Sequence, residues 1–415
     1  MHHLIGSLPH RRLKNLAQKH GPLIHLQLGE VSAVVVSSPN LAKEIMKTRD
    51  LSFASRPELL TFKIVCYDSK DILFSPYGDY WRQMRKICVT ELLSAKSVMS
   101  FHNIRQDEVL HLVAAIGQLA GKSVNITEKL FSHTSSMVCR AAFGQVSKED
   151  QYEFVRLMKQ EHVKNQTRKK KFIADSNQED LIDVLLRIRD SEDLQFPITN
   201  DNIKAIIFDM FAGGTETSSS TVEWAMSEMI RTPMVMAKAQ EEIRQAFKGK
   251  QKIDEIDVQE LRYLKFVIKE TLRLHPPAPL LIPRECREQC EVNGYTIPIK
   301  TKVVVNCWAL GRDPEYWSDP ESFEPERFDN NPVDFTGNHF EFVPFGGGRR
   351  ICPGMSFGLV NMELQLALLL YHFNWRLPDG MNSEDLDMIE NNGITATRKN
   401  NLYLVPSLYD PSIDL

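Results

Sequence analysis

Apolar and polar positions alternate over residues 23–37. Ile24, Leu26 and Leu28 fall on one side, Gly29-Glu30 marks a turn, and Val34-Val35-Val36 follows. Period two on both sides of a turn predicts a β-hairpin. Pro39-Asn40 then opens a helix through Met46, and most of the remaining chain carries helical period. The clearest case is 199–231, where Thr199 is placed to cap the start and Thr232-Pro233 stops the run. A second helix is predicted over 257–275, ended by Pro276-Pro277-Ala278-Pro279. Strand-like pieces follow near 279–283, 291–297 and 302–307. A Pro- and Gly-rich coil covers 311–354, a long helix covers 355–371, and a hairpin-like tail closes the chain (Ile394-Thr395, then Leu402-Tyr403-Leu404-Val405). This order is mainly α with a small β region and no βαβ alternation.

Length and charge narrow the class. At 415 residues the chain exceeds the size at which one core usually stops growing, so length alone suggests two or three domains. Lys plus Arg is 50 against 54 for Asp plus Glu, a net charge of −4 that gives no field for nucleic acid. The basic run Arg168-Lys169-Lys170-Lys171 is short, precedes acidic residues, and reads as a solvated loop. Seven cysteines without a C-x-x-C pair fit reduced thiols facing the cytosol. The N-x-T triplets at Asn125 and Asn165 are then accidental. No run of about 18 apolar residues occurs, and the first residues lack the build of a signal peptide.

Three segments carry candidate chemistry. In Phe345-Gly346-Gly347-Gly348-Arg349-Arg350-Ile351-Cys352-Pro353-Gly354, the glycines let backbone approach something flat. Cys352 precedes a predicted helix, where free N–H groups and the helix dipole favour thiolate over thiol. A phosphate loop would need Gly-Lys-Ser/Thr, and an iron–sulfur or zinc site would need partner cysteines; a Gly-rich turn with a buried Cys stays open. Glu270 and Arg273 sit at i and i+3, flanked by Val267, Ile268, Leu272 and Leu274, so the pair is partly buried and needs further partners. Arg327 in Pro325-Glu326-Arg327-Phe328 is a candidate. In the 199–231 helix, Gly213-Gly214 costs about 1 kcal/mol per glycine relative to Ala. Ile206, Met210, Gly213, Gly214 and Thr217 share one face: an apolar wall, a gap, a hydroxyl. Close helix packing at the glycines is the competing explanation.

The Cys352 segment matches F-x-x-G-x-R-x-C-x-G at Phe345, Gly348, Arg350, Cys352 and Gly354, and so resembles the heme-binding signature of the cytochromes P-450. Other segments are similar to family motifs in the same order: Glu270-Thr271-Leu272-Arg273 to E-x-x-R, Pro325–Phe328 to P-E-R-F, Ala212–Ser218 to A-G-x-D/E-T-T/S, and Trp81–Arg85 to W-x-x-x-R. The resemblance runs from the first hairpin to the last. It implies one large, mostly helical domain over 1–415 in place of several. It also implies heme b with Cys352 as axial thiolate to iron, and Phe345, Gly348, Trp81, Arg85, Arg350 and Arg284 around the cofactor. Glu270, Arg273 and Arg327 would lock the coil that carries the cysteine. Thr217 would hold dioxygen or a water, and Glu216 would help bring protons. Arg82, Lys86 and Arg349 would form a basic patch on the cysteine side or simply a solvated face.

Asp180–Leu186 and His275–Pro279 look like the plant microsomal branch that oxidises terpenoids. The implied activity is insertion of one oxygen atom from O₂ into an apolar small molecule. Electrons would come from NADPH through a separate reductase, on the cytosolic face of the endoplasmic reticulum. Phe208, Phe211, Ala212, Ala278, Leu280, Leu281, Ile282, Ile394 and Thr395 would line the substrate pocket, with no charge facing it. Two departures stand out. The membrane anchor and Pro-rich hinge of the family are absent from this chain. The 144–180 span is also too short for the two roof helices, with a gap placed at Gln160-Glu161. A heme-binding pseudoenzyme, and an O₂-independent isomerase or dehydratase, are the alternatives; Thr217 and Glu216 argue against the second.

Overall fold

The alternating segment folds as a hairpin. Leu23–Leu28 and Val31–Val36 pair antiparallel, with Leu28 opposite Val31 across the Gly29-Glu30 turn. Val31–Val36 continues into a parallel pairing with Lys302–Val305, and Arg284–Glu285 adds an antiparallel edge strand. The computed structural model describes residues 8–144, 180–191, 194–250 and 253–410. The expected gap at Gln160-Glu161 lies outside them. Among the described residues, no helix is long and apolar enough to cross a membrane.

Helices form the rest. His102–Gly117, Ile126–Phe143, Glu216–Arg231, Pro233–Ala246, Arg262–Leu274 and Met355–His372 pack around one apolar core. A second cluster joins the 84–101 segment, Ile126–Phe143, Leu181–Arg189 and Asn200–Gly214. A third lies beneath the sheet. The mainly α, single-domain architecture with a small β region is the one the sequence implied.

Three local expectations change. The predicted 199–231 helix starts as expected, with a capping box between Thr199 and Asn202, but is two helices, Asn200–Gly214 and Glu216–Arg231, broken at Thr215. The glycine pair weakens the ladder there, and the Thr217 hydroxyl donates to the Gly213 carbonyl at 2.6 Å. Such back-bonding by a hydroxyl bends helices. The stretch 279–283 is not a strand. The run of prolines removes ladder donors, and Leu281 turns back with φ +50° as its N–H donates to the Ala278 carbonyl at 2.9 Å. In the tail, only the bridge between Glu390 and Arg398 is hairpin-like; Tyr403–Leu408 pairs with Phe373–Arg376 and Val124–Asn125 instead.

Candidate active site around Cys352

A cavity of about 130 Å³ lies between the broken helix and the start of Met355–His372. Cys352, Phe345, Pro353 and Gly354 form one wall; Met210, Gly213, Gly214, Thr217, Ser218 and Thr221 form the opposite one. A Cβ on Gly213 would meet nothing within 4 Å, whereas one on Gly214 would come to 3.2 Å from Val138. Gly213 therefore opens onto the cavity, and close helix packing applies to Gly214 alone.

The sulfur loop is fixed from behind. Gly348 has φ +63°, and a Cβ there would fall 2.0 Å from the Met46 carbonyl oxygen, so only glycine fits. Asp50 accepts from the Arg349 backbone N–H at 2.9 Å and from Arg284 Nη1 at 2.9 Å. Arg284 Nη2 donates to the Gly347 carbonyl at 2.6 Å. The Cys352 N–H donates to the Phe345 carbonyl at 2.9 Å. Burial pushes the Cys352 thiol up from its ordinary pKa, and the Gly354 N–H and Arg85 pull it down only in part. The helix proper begins at Met355, three positions on. A thiolate here needs a cation at the sulfur.

Beside the loop lies a concentration of guanidinium groups. Trp81 Nε1 donates to the Ile72 carbonyl at 2.9 Å, and Arg350 stacks over the Trp81 ring at 4.0 Å. Arg350 donates to the carbonyls of Ala54, Ile72 and Ser75, and Arg85 to that of Ile351. Arg350 is pushed down to about 9, first by burial and then by Arg284 and Arg85. Arg56 falls well below its usual value through burial and the same neighbours. Sequence reasoning missed Arg56, Asp50 and Asp71. Among the described residues, only the carboxyls of Asp50 and Asp71 stand against Arg56, Arg85, Arg284 and Arg350, and burial pulls Asp71 toward its neutral form. The imbalance calls for a group carrying two negative charges next to the sulfur. Heme, with two propionates and an iron for Cys352, fits that demand. Bound there, it supplies the redox chemistry of dioxygen activation.

Glu270, Arg273 and Arg327 do come together. Glu270 accepts from Arg273 Nε and Nη2 at 2.7 Å each, from Arg327 Nε at 2.8 Å and from the Glu324 N–H at 2.9 Å. Arg273 also holds the carbonyls of Gly311, Pro320 and Ser322. Glu270 and Arg273 are fully buried.

Other expectations fail. The helix wall of the cavity turns Asp209, Met210 and Gly213 inward, not Phe208, Phe211 or Ala212. Phe211 packs on Phe143, and Ala212 is exposed. Pro277 and Leu272 line the cavity in place of Ala278, Leu280, Leu281 and Ile282, which follow the turn outward. Ile394 is 70% exposed, and Thr395 is off the lining. Asp209 is a charged-type residue facing a pocket expected to have none. Glu216 is exposed and does not line the cavity.

This fold and site define a heme-thiolate oxygenase. The cytochrome P450 family model matches residues 2–165 and 158–405, and the chain belongs to that family. It is similar to premnaspirodiene oxygenase of Hyoscyamus muticus (58% identical over 457 residues, 99% of this chain and 91% of that protein). It is also similar to 5-epiaristolochene 1,3-dihydroxylase of Nicotiana tabacum (56%, 99% and 91%) and germacrene A hydroxylase of Barnadesia spinosa (50%, 99% and 90%). In fold it matches a zebra fish cytochrome P450 with progesterone at TM-score 0.84 and 24% identity, over 97% of this chain and all of that one. The protein is a heme-thiolate monooxygenase.

Proposed function

We propose that this enzyme hydroxylates a terpenoid hydrocarbon of sesquiterpenoid size, taking electrons from NADPH through a separate reductase at the endoplasmic reticulum membrane. The observation that carries the proposal is one largely apolar chamber walled by both Cys352 and Thr217. Leu92, Leu93, Phe101, Val138, Ala141 and Leu181 complete it and favour a ligand held by shape. The named substrates of the relatives above support the same class.

Cys352 holds the iron of the heme. Arg350, Arg85, Arg284, Arg56 and Trp81 hold its propionate edge, and Phe345 and Gly348 shape the loop beneath. The Thr217 hydroxyl gives its own proton to the Gly213 carbonyl, so its lone pairs accept a proton donor from the chamber. Glu216 lies one position earlier on the solvent side and brings protons to that point. Glu270, Arg273 and Arg327 lock the coil. We read the short 144–180 span as lacking part of the roof; a family match in two stretches that overlap at 158–165, and an alignment of 457 residues for a chain of 415, support that reading.

Thr217→Ala is expected to keep heme and substrate binding while coupling of NADPH oxidation to product falls by about tenfold or more, with peroxide released. Product and peroxide measured against NADPH consumed, with reductase present, check this. Unchanged coupling would return Thr217 to a packing role. Gly213→Ala, where an added Cβ meets open space beside the chamber, is expected to shift product ratios at matched heme content. An unchanged product distribution would remove this wall from the substrate.

A further inference from the structure

Where the 66–75 segment crosses the helix Asn200–Gly214, two buried carboxyl groups meet. Asp209 Oδ2 accepts from the N–H groups of Ile72 at 2.8 Å and Leu73 at 3.3 Å. Asp71 Oδ2 accepts from the N–H of Phe74 at 2.8 Å. The second oxygen of each, Oδ1, is buried and meets no N–H or O–H donor among the described residues. The two carboxyls and the Cys66 thiol, which hydrogen-bonds Asp71, present atoms within 4.8 Å of one another. Two buried carboxyls this close, each with an oxygen that meets no N–H or O–H donor, are satisfied by one proton shared between them. A cation would also satisfy them, but Arg56 and Arg350 already face Asp71 and repel it. The preceding turn is itself strained: Tyr67, Asp68 and Ser69 all have positive φ, so something must hold it.

We propose that Asp71 and Asp209 act as one acid pair sharing a single proton, and that this pair positions the cofactor edge. It fastens Ile72–Ser75 to the helix. The Ile72 carbonyl in turn receives Trp81 Nε1 at 2.9 Å and Arg350 Nη1 at 3.2 Å, and the Ser75 carbonyl receives Arg350 Nη2 at 2.7 Å. Both aspartates are positioning residues. The second half of the proposal rests on the assignment of Trp81 and Arg350 to the propionates.

Burial raises both carboxyl groups, and the charge of Asp71 adds to the rise at Asp209. A carboxyl whose pKa is raised by folding stabilises the fold at low pH, and that stabilisation is lost as pH rises through the raised value. The fastening should therefore weaken as pH rises. Other groups facing the pair are Arg56 and Arg350, which favour the charged form of Asp71, and Tyr80 and Cys88, kept neutral by burial and by these carboxyls. Cys66 donates to Asp71 and favours its charged form.

The test uses holoenzyme with Asp209→Asn, Asp71→Asn and Asp209→Ala. Amide exchange at Ile72, Leu73 and Phe74 and the rate of heme loss are followed from acid to alkaline pH. Protection in the wild type should fall with pH beyond the intrinsic trend. Either Asn variant, whose amide N–H takes the place of the shared proton at every pH, should flatten that fall. Asp209→Ala should lose about tenfold or more in protection at every pH, and heme loss should follow protection. An identical pH trend in wild type and both Asn variants would overturn the shared proton, as would a stoichiometric divalent cation beside the iron. Altered exchange with heme loss unchanged would overturn the positioning role. If Trp81→Phe and Arg350→Gln also leave heme loss unchanged, the fault lies in the propionate assignment.

Discussion

Cys352→Ala abolishes the thiolate-type band of the reduced CO complex and all turnover, while the chain still folds. The Cys352 side chain lies in a buried setting that disfavours a bare thiolate, so its deprotonation depends on the iron. Removing the sulfur leaves the guanidinium groups and their attraction for the propionates in place. Heme should bind more weakly and with an altered spectrum, and thermal unfolding without heme should shift little. Cys352→His should recover heme content without recovering the thiolate band. A thiolate-type band persisting in Cys352→Ala would exclude Cys352 as the ligand.

Glu270→Gln has the largest expected effect on stability. Glu270 is fully buried and serves two guanidinium groups and a backbone N–H at once. Removing one partner from a buried ion network leaves the others desolvated and uncompensated, which costs about 3–5 kcal/mol. The amide keeps one acceptor oxygen but turns a donor toward Arg273 or Arg327. The coil from Gly311 to Ser322, held by Arg273, should loosen, and heme content should drop with it. Arg273→Lys should behave similarly, since an ammonium cannot reproduce the forked contacts. Urea unfolding measures the first effect and heme-to-protein ratio the second. A loss below about 1 kcal/mol would mean that the network is solvated in solution.

Local signals in the sequence proved readable. Alternation gave the hairpin, and Thr199 with Asn202 gave the helix start. The spacing of Glu270 and Arg273 amid apolar residues foretold a buried pair that needed a third member, and Arg327 is that member. Contacts made only by the folded chain were hidden. Arg56, Asp50 and Asp71 lie some 140 to 300 residues from the helix, strand and loop groups they join, and none of them carries the hint of a lone charge among apolar residues. Asp209 did carry such a hint, alone within Ile206-Ile207-Phe208-Asp209-Met210-Phe211. The pocket assignment failed for a geometric reason. Each residue rotates a helix position by about 100°, so reading Phe208 and Ala212 as the wall instead of Asp209 and Gly213 selects the neighbouring face.

The most direct test is turnover under ¹⁸O₂ with NADPH, a plant reductase and a panel of sesquiterpene hydrocarbons. The expected result is a hydroxylated product carrying one ¹⁸O atom per molecule, formed by the wild type and not by Cys352→Ala. Product oxygen drawn from water, or product formed without O₂, would contradict a monooxygenase acting through Cys352.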